Sequence, residues 1–306
     1  MRNEELREFL TTRRARITPA RAGLPETGGA RRVAGLRRAE VADLAGISAG
    51  YYRRLERGAV ASVSTSVMTG VGRALQLDGA ERDHLADLLR WPRGRAVVAH
   101  PAPAPTAVLP FVRRLLDATA LPCCVLDDRL DLLAANDLAQ ALYHPLYAGP
   151  GAPENLARFV FLDRAARDFW SDWPVVADLV ASLLRTGSGR DPLDADLVAL
   201  VRDLRARSAE FRTRWAAHEV AGDASGTREI RHPVVGRLTL EVHALTVPDA
   251  PGQHVVIHAA AHGSASQRRL DELADWAEES RRTDRRDATS GKPADRAAGR
   301  VRPSRP

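Results

Sequence analysis

Residues 36–58, LRRAEVADLAGISAGYYRRLERG, constrain the fold of this 306-residue chain more than any other stretch. Val41, Leu44 and Ala45 recur at i, i+3 and i+4, which predicts an amphipathic helix from about Arg37 to Ala45. Ala42 is small enough to let a second helix cross closely. Gly46 supplies the stop, because glycine enters the left-handed region at little cost. Ser48 then offers a hydroxyl to the free N–H groups that open a second helix, whose buried side takes Tyr52 and Leu55. Two short helices crossing over one core, with a glycine in the turn, define a helix-turn-helix.

The second helix leaves Ala49, Gly50, Tyr51, Arg53 and Arg54 outside. A small N-terminal half followed by two guanidinium groups suits a major groove, where arginine pairs bidentately with guanine or contacts phosphate. The candidate DNA-contacting residues are Arg37, Arg38, Ser48, Ala49, Gly50, Tyr51, Arg53, Arg54 and Arg57. Taken alone, RRAEVADLAG is also an ordinary amphipathic surface helix. The full spacing from Glu40 to Gly58 carries the inference.

The flanks extend the pattern. Leu6, Phe9 and Leu10 give a helix over Glu4–Arg14, Val67, Val71, Ala74 and Leu75 another, and Leu85, Leu88 and Leu89 a fifth within ERDHLADLLRW. The expectation is an all-α five-helix domain over residues 1–95. A Pro/Ala linker follows at 96–110. Charge divides along the same lines. Residues 1–95 carry 18 basic and 11 acidic side chains, residues 96–280 carry 18 and 25, and residues 281–306 carry 9 and 3, for net +6 overall. Basic ends around an acidic middle fit a chain whose ends meet a polyanion. The segment 266–306 reads as a short helix and then a disordered basic tail, either a solvated run or a source of nonspecific DNA affinity.

Residues 111–265 are long enough for a core of their own. CCVLDDRLDLLAAN reads as a hairpin turning at Asp127-Asp128. Trp173, Val176, Ala177, Val180, Leu183 and Leu184 share one helical face, as do Leu197, Leu200, Val201 and Leu204. Leu238, Leu240 and Val242 alternate as in a strand, before HVVIH at 254–258. Strands at both ends with helices between them predict an α+β domain, so the whole chain is an α plus α/β multi-domain protein.

Cys123 and Cys124 sit in the apolar run PCCVL, which suits a buried strand better than a disulfide or a redox pair. Six of nine histidines fall between His218 and His262, yet His254 and His258 would stand about 13 Å apart on one strand face, too far to share an ion. The expectation is no metal and no cofactor. Zincin, Walker and dinucleotide patterns are absent, which argues against an enzyme. A charged start, MRNEELREFL, and the lack of a long apolar run predict a cytoplasmic protein without a membrane partner.

The order GLRRAEVADLAGIS, YYRRLERG, LDDRLDLLAAN, NLARFVFLD, ARSAEFRTRWAAHEV, SGTREIRHPVVGRLTL and HVVIHAA resembles the XRE-family, Cro/C1-type regulators that carry an MmyB-like ligand-binding domain. The resemblance spans about residues 1–265, and it implies a PAS-like second domain with a pocket for a small apolar ligand such as a fatty acid. Asn136, Arg158, Phe211, Trp215, His218 and His232 match the family pattern as candidate ligand-binding residues. Phe211 and Trp215 fit core packing equally well. His218 and His232 suit either orientation of a carboxylate headgroup or a hydrogen-bonded structural place. Gly50 departs from the more usual polar residue. A homodimer on a two-fold operator is expected, and the alternative is an architectural DNA-binding protein whose second domain is purely structural or dimerising.

Overall fold

The computed structural model describes residues 2–25, 35–60, 62–90, 107–147, 155–221 and 225–290. Most of the expected linker, and the tail beyond 290, lie outside these residues. The N-terminal unit runs through α1 (Arg2–Arg16), α2 (Arg38–Ala45), α3 (Ala49–Glu56), α4 (Thr65–Ala74) and α5 (Gly79–Arg90). Leu6, Phe9, Leu10, Val41, Tyr52, Leu55, Val71, Leu85 and Leu88 meet in one buried cluster, so each amphipathic stripe is spent on a common core. Burying each such side chain contributes about 1.5–3 kcal/mol.

Local chemistry sets the helix ends. The Arg37 N–H donates to the Glu40 carboxylate at 2.6 Å as α2 opens. Gly46 closes it at φ 70°. The Ser48 hydroxyl accepts the Tyr51 N–H at 3.1 Å and caps α3. Where α4 crosses α2, a Cβ on Gly70 would fall 2.5 Å from the Ala45 carbonyl oxygen, so only glycine permits the crossing.

The C-terminal unit opens with α6 (Pro110–Ala118) and continues into β1 (Cys123–Asp127) and β2 (Leu132–Ala135). Then come α7 (Asp137–Leu142), α8 (His144–Tyr147), α9 (Leu156–Leu162), α10 (Ala165–Phe169), α11 (Trp173–Arg190), α12 (Ala195–Arg207) and α13 (Ala209–Ala216). The chain closes with β3 (Gly226–His232), β4 (Gly236–Thr246), β5 (Gln253–Ala259) and α14 (Ala265–Ser290). The five strands form one antiparallel sheet in the order β2-β1-β5-β4-β3.

Period-two alternation sorts the side chains between the faces. Leu238, Leu240 and Val242 are buried, while Thr239, Glu241 and His243 are exposed. Cys123 lies with Val112 and Leu116 of α6 on one face, and Cys124 with Val242 and Val256 on the other. Both thiols are free, and burial pushes them up to about 11 and about 12.

One expectation is revised. α14 is 26 residues long, so residues 281–290, read as part of a disordered tail, are helical. Leu270, Leu273 and Ala277 anchor the helix in the main core, and the Ser264 hydroxyl accepts the Gln267 N–H at its start. The Glu278–Arg282 pair adds support four residues apart.

Candidate nucleic-acid interface and ligand cleft

α3 presents Ala49, Gly50, Arg53 and Arg54 to solvent, with Arg57 one turn further and Arg37 exposed before α2. Tyr51 is half-buried, its hydroxyl donating to the Ser62 carbonyl at 3.4 Å, and the Arg54 guanidinium stands 5.8 Å from its ring centre. Ser48 is occupied in capping. Arg38 is not a free cation: it pairs with Glu56, a carboxylate buried to 1 % exposure. Arg14 reaches the other oxygen of Glu56 at 3.1 Å, and Thr11 also donates there. Glu56 thus ties the end of α3 to α1 and α2 and fixes the angle at which the helix is offered. Sequence reading missed this role, although a glutamate beside Leu55 on the inward side of the helix was the available signal.

The six residues expected to line a ligand site do not come together. Asn136 caps α7, accepting the Ala139 and Cys123 N–H groups and donating to the Leu121 carbonyl at 2.8 Å. Arg158 pairs with Asp203 at the surface. Phe211 is fully buried against Phe161 and Trp215. His232 is held between the Ala141 carbonyl at 3.0 Å and the Val234 N–H at 3.3 Å, a neutral tautomer consistent with burial lowering its pKa. Each of these four is a structural residue by its contacts.

His218 faces the N-terminal unit instead, while Trp215 stacks on Phe211 in the C-terminal core. The His218 Nε2 meets the Glu8 carboxylate at 2.7 Å, its Nδ1 meets the Ala216 carbonyl, and its own carbonyl accepts from Arg13 at 2.6 Å. Its φ of 55° places a non-glycine residue in the left-handed region. The carboxylate that His218 orients belongs to α1. Arg185 lies 3.9 Å over the Trp215 ring, donates to the Trp215 carbonyl, and pairs with Glu5 at 3.0 Å. Burial lowers Arg185 to about 10 against the opposing pull of Glu5. Arg16 adds an exposed pair to Glu219. His84 of α5 packs into the groove left by Gly189 of α11, where a Cβ would sit 2.5 Å from its Nδ1. Neither ring nitrogen of His84 has a hydrogen-bond partner among the described residues. Burial and the nearby Arg185 and Arg13 cations lower it to about 3.

A narrow cleft of about 80 Å³ opens between α11 and the sheet. Leu126, Leu130, Leu183, Ala244 and Val256 line it, and Arg190, His254 and Asp128 form its polar end. Asp128 accepts from Arg190 at 2.8 Å and from His254 at 3.0 Å. His258 lies apart, bonded to the Tyr143 hydroxyl at 2.8 Å. The cleft combines an apolar body with convergent polar groups, the usual character of a small-molecule site. Gly187 brings α11 against the hairpin turn, since a Cβ there would come 2.8 Å from the Asp128 carbonyl oxygen. The run RTGSGR, two glycines inside a helical pattern, was the sequence signal for close approach on both sides of α11.

Residues 5–85 match a family profile described as a helix-turn-helix domain. The fold and the profile match support a DNA-binding transcription regulator, consistent with the XRE type. Residues 108–273, more than half of the chain, match the MmyB-like transcription regulator ligand binding domain, and the protein belongs to that family. No curated protein matches the chain. Among the described residues, no helix is long and apolar enough to cross a membrane.

Proposed function

We propose that the protein is a cytoplasmic, homodimeric transcription regulator that reads operator DNA with α3 and takes a small apolar molecule in the cleft between α11 and the sheet. The observation that carries the DNA reading is the exposed stripe of Arg53, Arg54 and Arg57 behind the bare Ala49-Gly50 start of α3. Arg37 and Arg38 stand at the mouth of α2, where they reach phosphates. One such unit reads a half-site, so a two-fold operator calls for a pair. The functional units are 1–95 and 111–265, joined by 96–110. The PAS-like label is supported by the antiparallel sheet with its helices inserted between β2 and β3.

The ligand reading rests on the lining of the cleft. Its apolar walls suit an acyl or similar hydrocarbon body, and Arg190 and His254 suit an acidic end in exchange for Asp128. At about 80 Å³ the cleft is smaller than the roughly 300–1,000 Å³ of typical ligand pockets, so binding requires α11 and the sheet to separate. The chain acts by binding rather than catalysis, a reading supported by its matches to a helix-turn-helix domain and a ligand-binding domain. Native mass spectrometry of the full chain purified from cells tests this: a bound small molecule lost on Arg190→Ala supports the reading, whereas a ligand-free chain, or one unaffected by that change, opposes it.

A further inference from the structure

We infer that α11 and the segment Trp215–Ala221 form a mechanical link through which occupancy of the cleft controls how the DNA-binding unit is held. The inference rests on the cleft being the ligand site. α11 serves two masters with its last two turns. Leu183, Thr186 and Arg190 line the cleft, while Arg185 and Gly189 on the other side hold Glu5 of α1 and His84 of α5. The second strand of the link is as short. Ala221 lines the cleft, and its carbonyl accepts the Thr186 hydroxyl at 2.9 Å. Three residues earlier His218 grips Glu8 and Arg13, and Val220 packs on the core of the N-terminal unit. Any ligand that widens the cleft displaces both strands at once.

The junction carries strained and unsatisfied groups beside its attractive contacts, which include His218–Glu8, Arg13 to the His218 carbonyl and Arg16–Glu219. Arg185, stacked on Trp215 and paired with Glu5, favours docking. Against it stand the two unpartnered ring nitrogens of His84 and the left-handed backbone of His218. The glycines at 187 and 189 leave the end of α11 easier to deform than a run of alanines. Strained and unsatisfied groups at a contact lower the differential affinity a ligand needs to shift it between two arrangements. α3 lies outside the junction, so the change alters where α3 is aimed and leaves its surface uncovered.

The test uses the full chain and a side chain as the cleft filler. Ala244→Phe, with Thr246→Phe at the exposed rim as a second variant that leaves the core intact, is examined by hydrogen exchange. Slowed exchange over residues 183–190 reports that the cleft is filled. The expected result is then an increase of about tenfold in the exchange of α1 and α5. Arg185→Gln or Gly189→Ala alone should produce that increase, and filling the cleft should add nothing further. The link is overturned if residues 183–190 respond while α1 and α5 keep wild-type exchange, or if the response is undiminished in the Arg185→Gln background. The ligand-site reading fails separately, if Ala244→Phe chain purified from cells carries the same bound molecule as wild type.

Discussion

His84 gives up water at both ring nitrogens and gains no hydrogen bond for either among the described residues, with only the edge of Phe9, 5.1 Å between ring centres, as a partner. Leaving such groups unsatisfied costs about 1–3 kcal/mol, and an apolar replacement of similar shape removes that cost. His84→Leu should therefore raise the unfolding midpoint at neutral pH by a few degrees, about 1–3 kcal/mol. Its pH dependence follows from the sign of the shift. The folded-state pKa is lowered from 6.5 to about 3, so the unfolded chain binds the extra proton, and stability falls as pH drops from 6.5 towards 3. Above 6.5 both states are neutral and the group contributes no slope. The variant should reduce that slope in denaturant unfolding, leaving the contributions of His258, which burial lowers to about 4, and of His144, His218 and His232, which burial also lowers. An unchanged profile would mean that His84 is not buried as described. Residues such as His84, Trp215 and His218 carried the least legible information in the sequence. For His218 the sequence suggested a ligand's carboxylate headgroup or a hydrogen-bonded structural place; the carboxylate it meets is that of Glu8, 210 positions away, and no local pattern points to it.

Helices were the most legible level, because stripe, stop and cap lie within a few residues of one another. α2 and α3 end where Gly46 and Ser48 say they should. Packing sets the ends that local signals leave open: α14 outlasts its expected length by lying on the sheet domain, and α11 runs on through two glycines with neighbours pressing on both sides. In α3, Gly50 is exposed and a Cβ there would meet nothing within 4 Å. Gly50→Ala should stabilise the chain by about 0.5–1 kcal/mol in denaturant unfolding. A loss of stability would show that the helix needs the bare backbone at that point. Arg38 has two roles at this scale. Its pairing with the buried Glu56 means that Arg38→Ala should lower fold stability as well as reduce the salt slope of DNA binding by about 1, equally for all sequences. Unchanged stability would detach Arg38 from the support of α3.

At the scale of the whole molecule, the helix-turn-helix at one end and the ligand-binding domain at the other are joined by more than a linker. Glu5, Glu8 and Arg13 of α1 meet Arg185 and His218 across the chain, and that junction was invisible to sequence reading because its members lie about 200 positions apart. The division into an all-helical start and a strand-bounded second part was legible, being written in periodicity and charge. Operator recognition by this protein depends on α3 reading bases through its arginines. Selection of binding sites from a randomised duplex pool, with the full chain and with Arg54→Ala, measures this directly. The prediction is a defined motif for the wild type that loses preference at one or two positions, worth about 1–3 kcal/mol, in the variant. A wild type that enriches no motif, or a variant whose motif is identical, would contradict it.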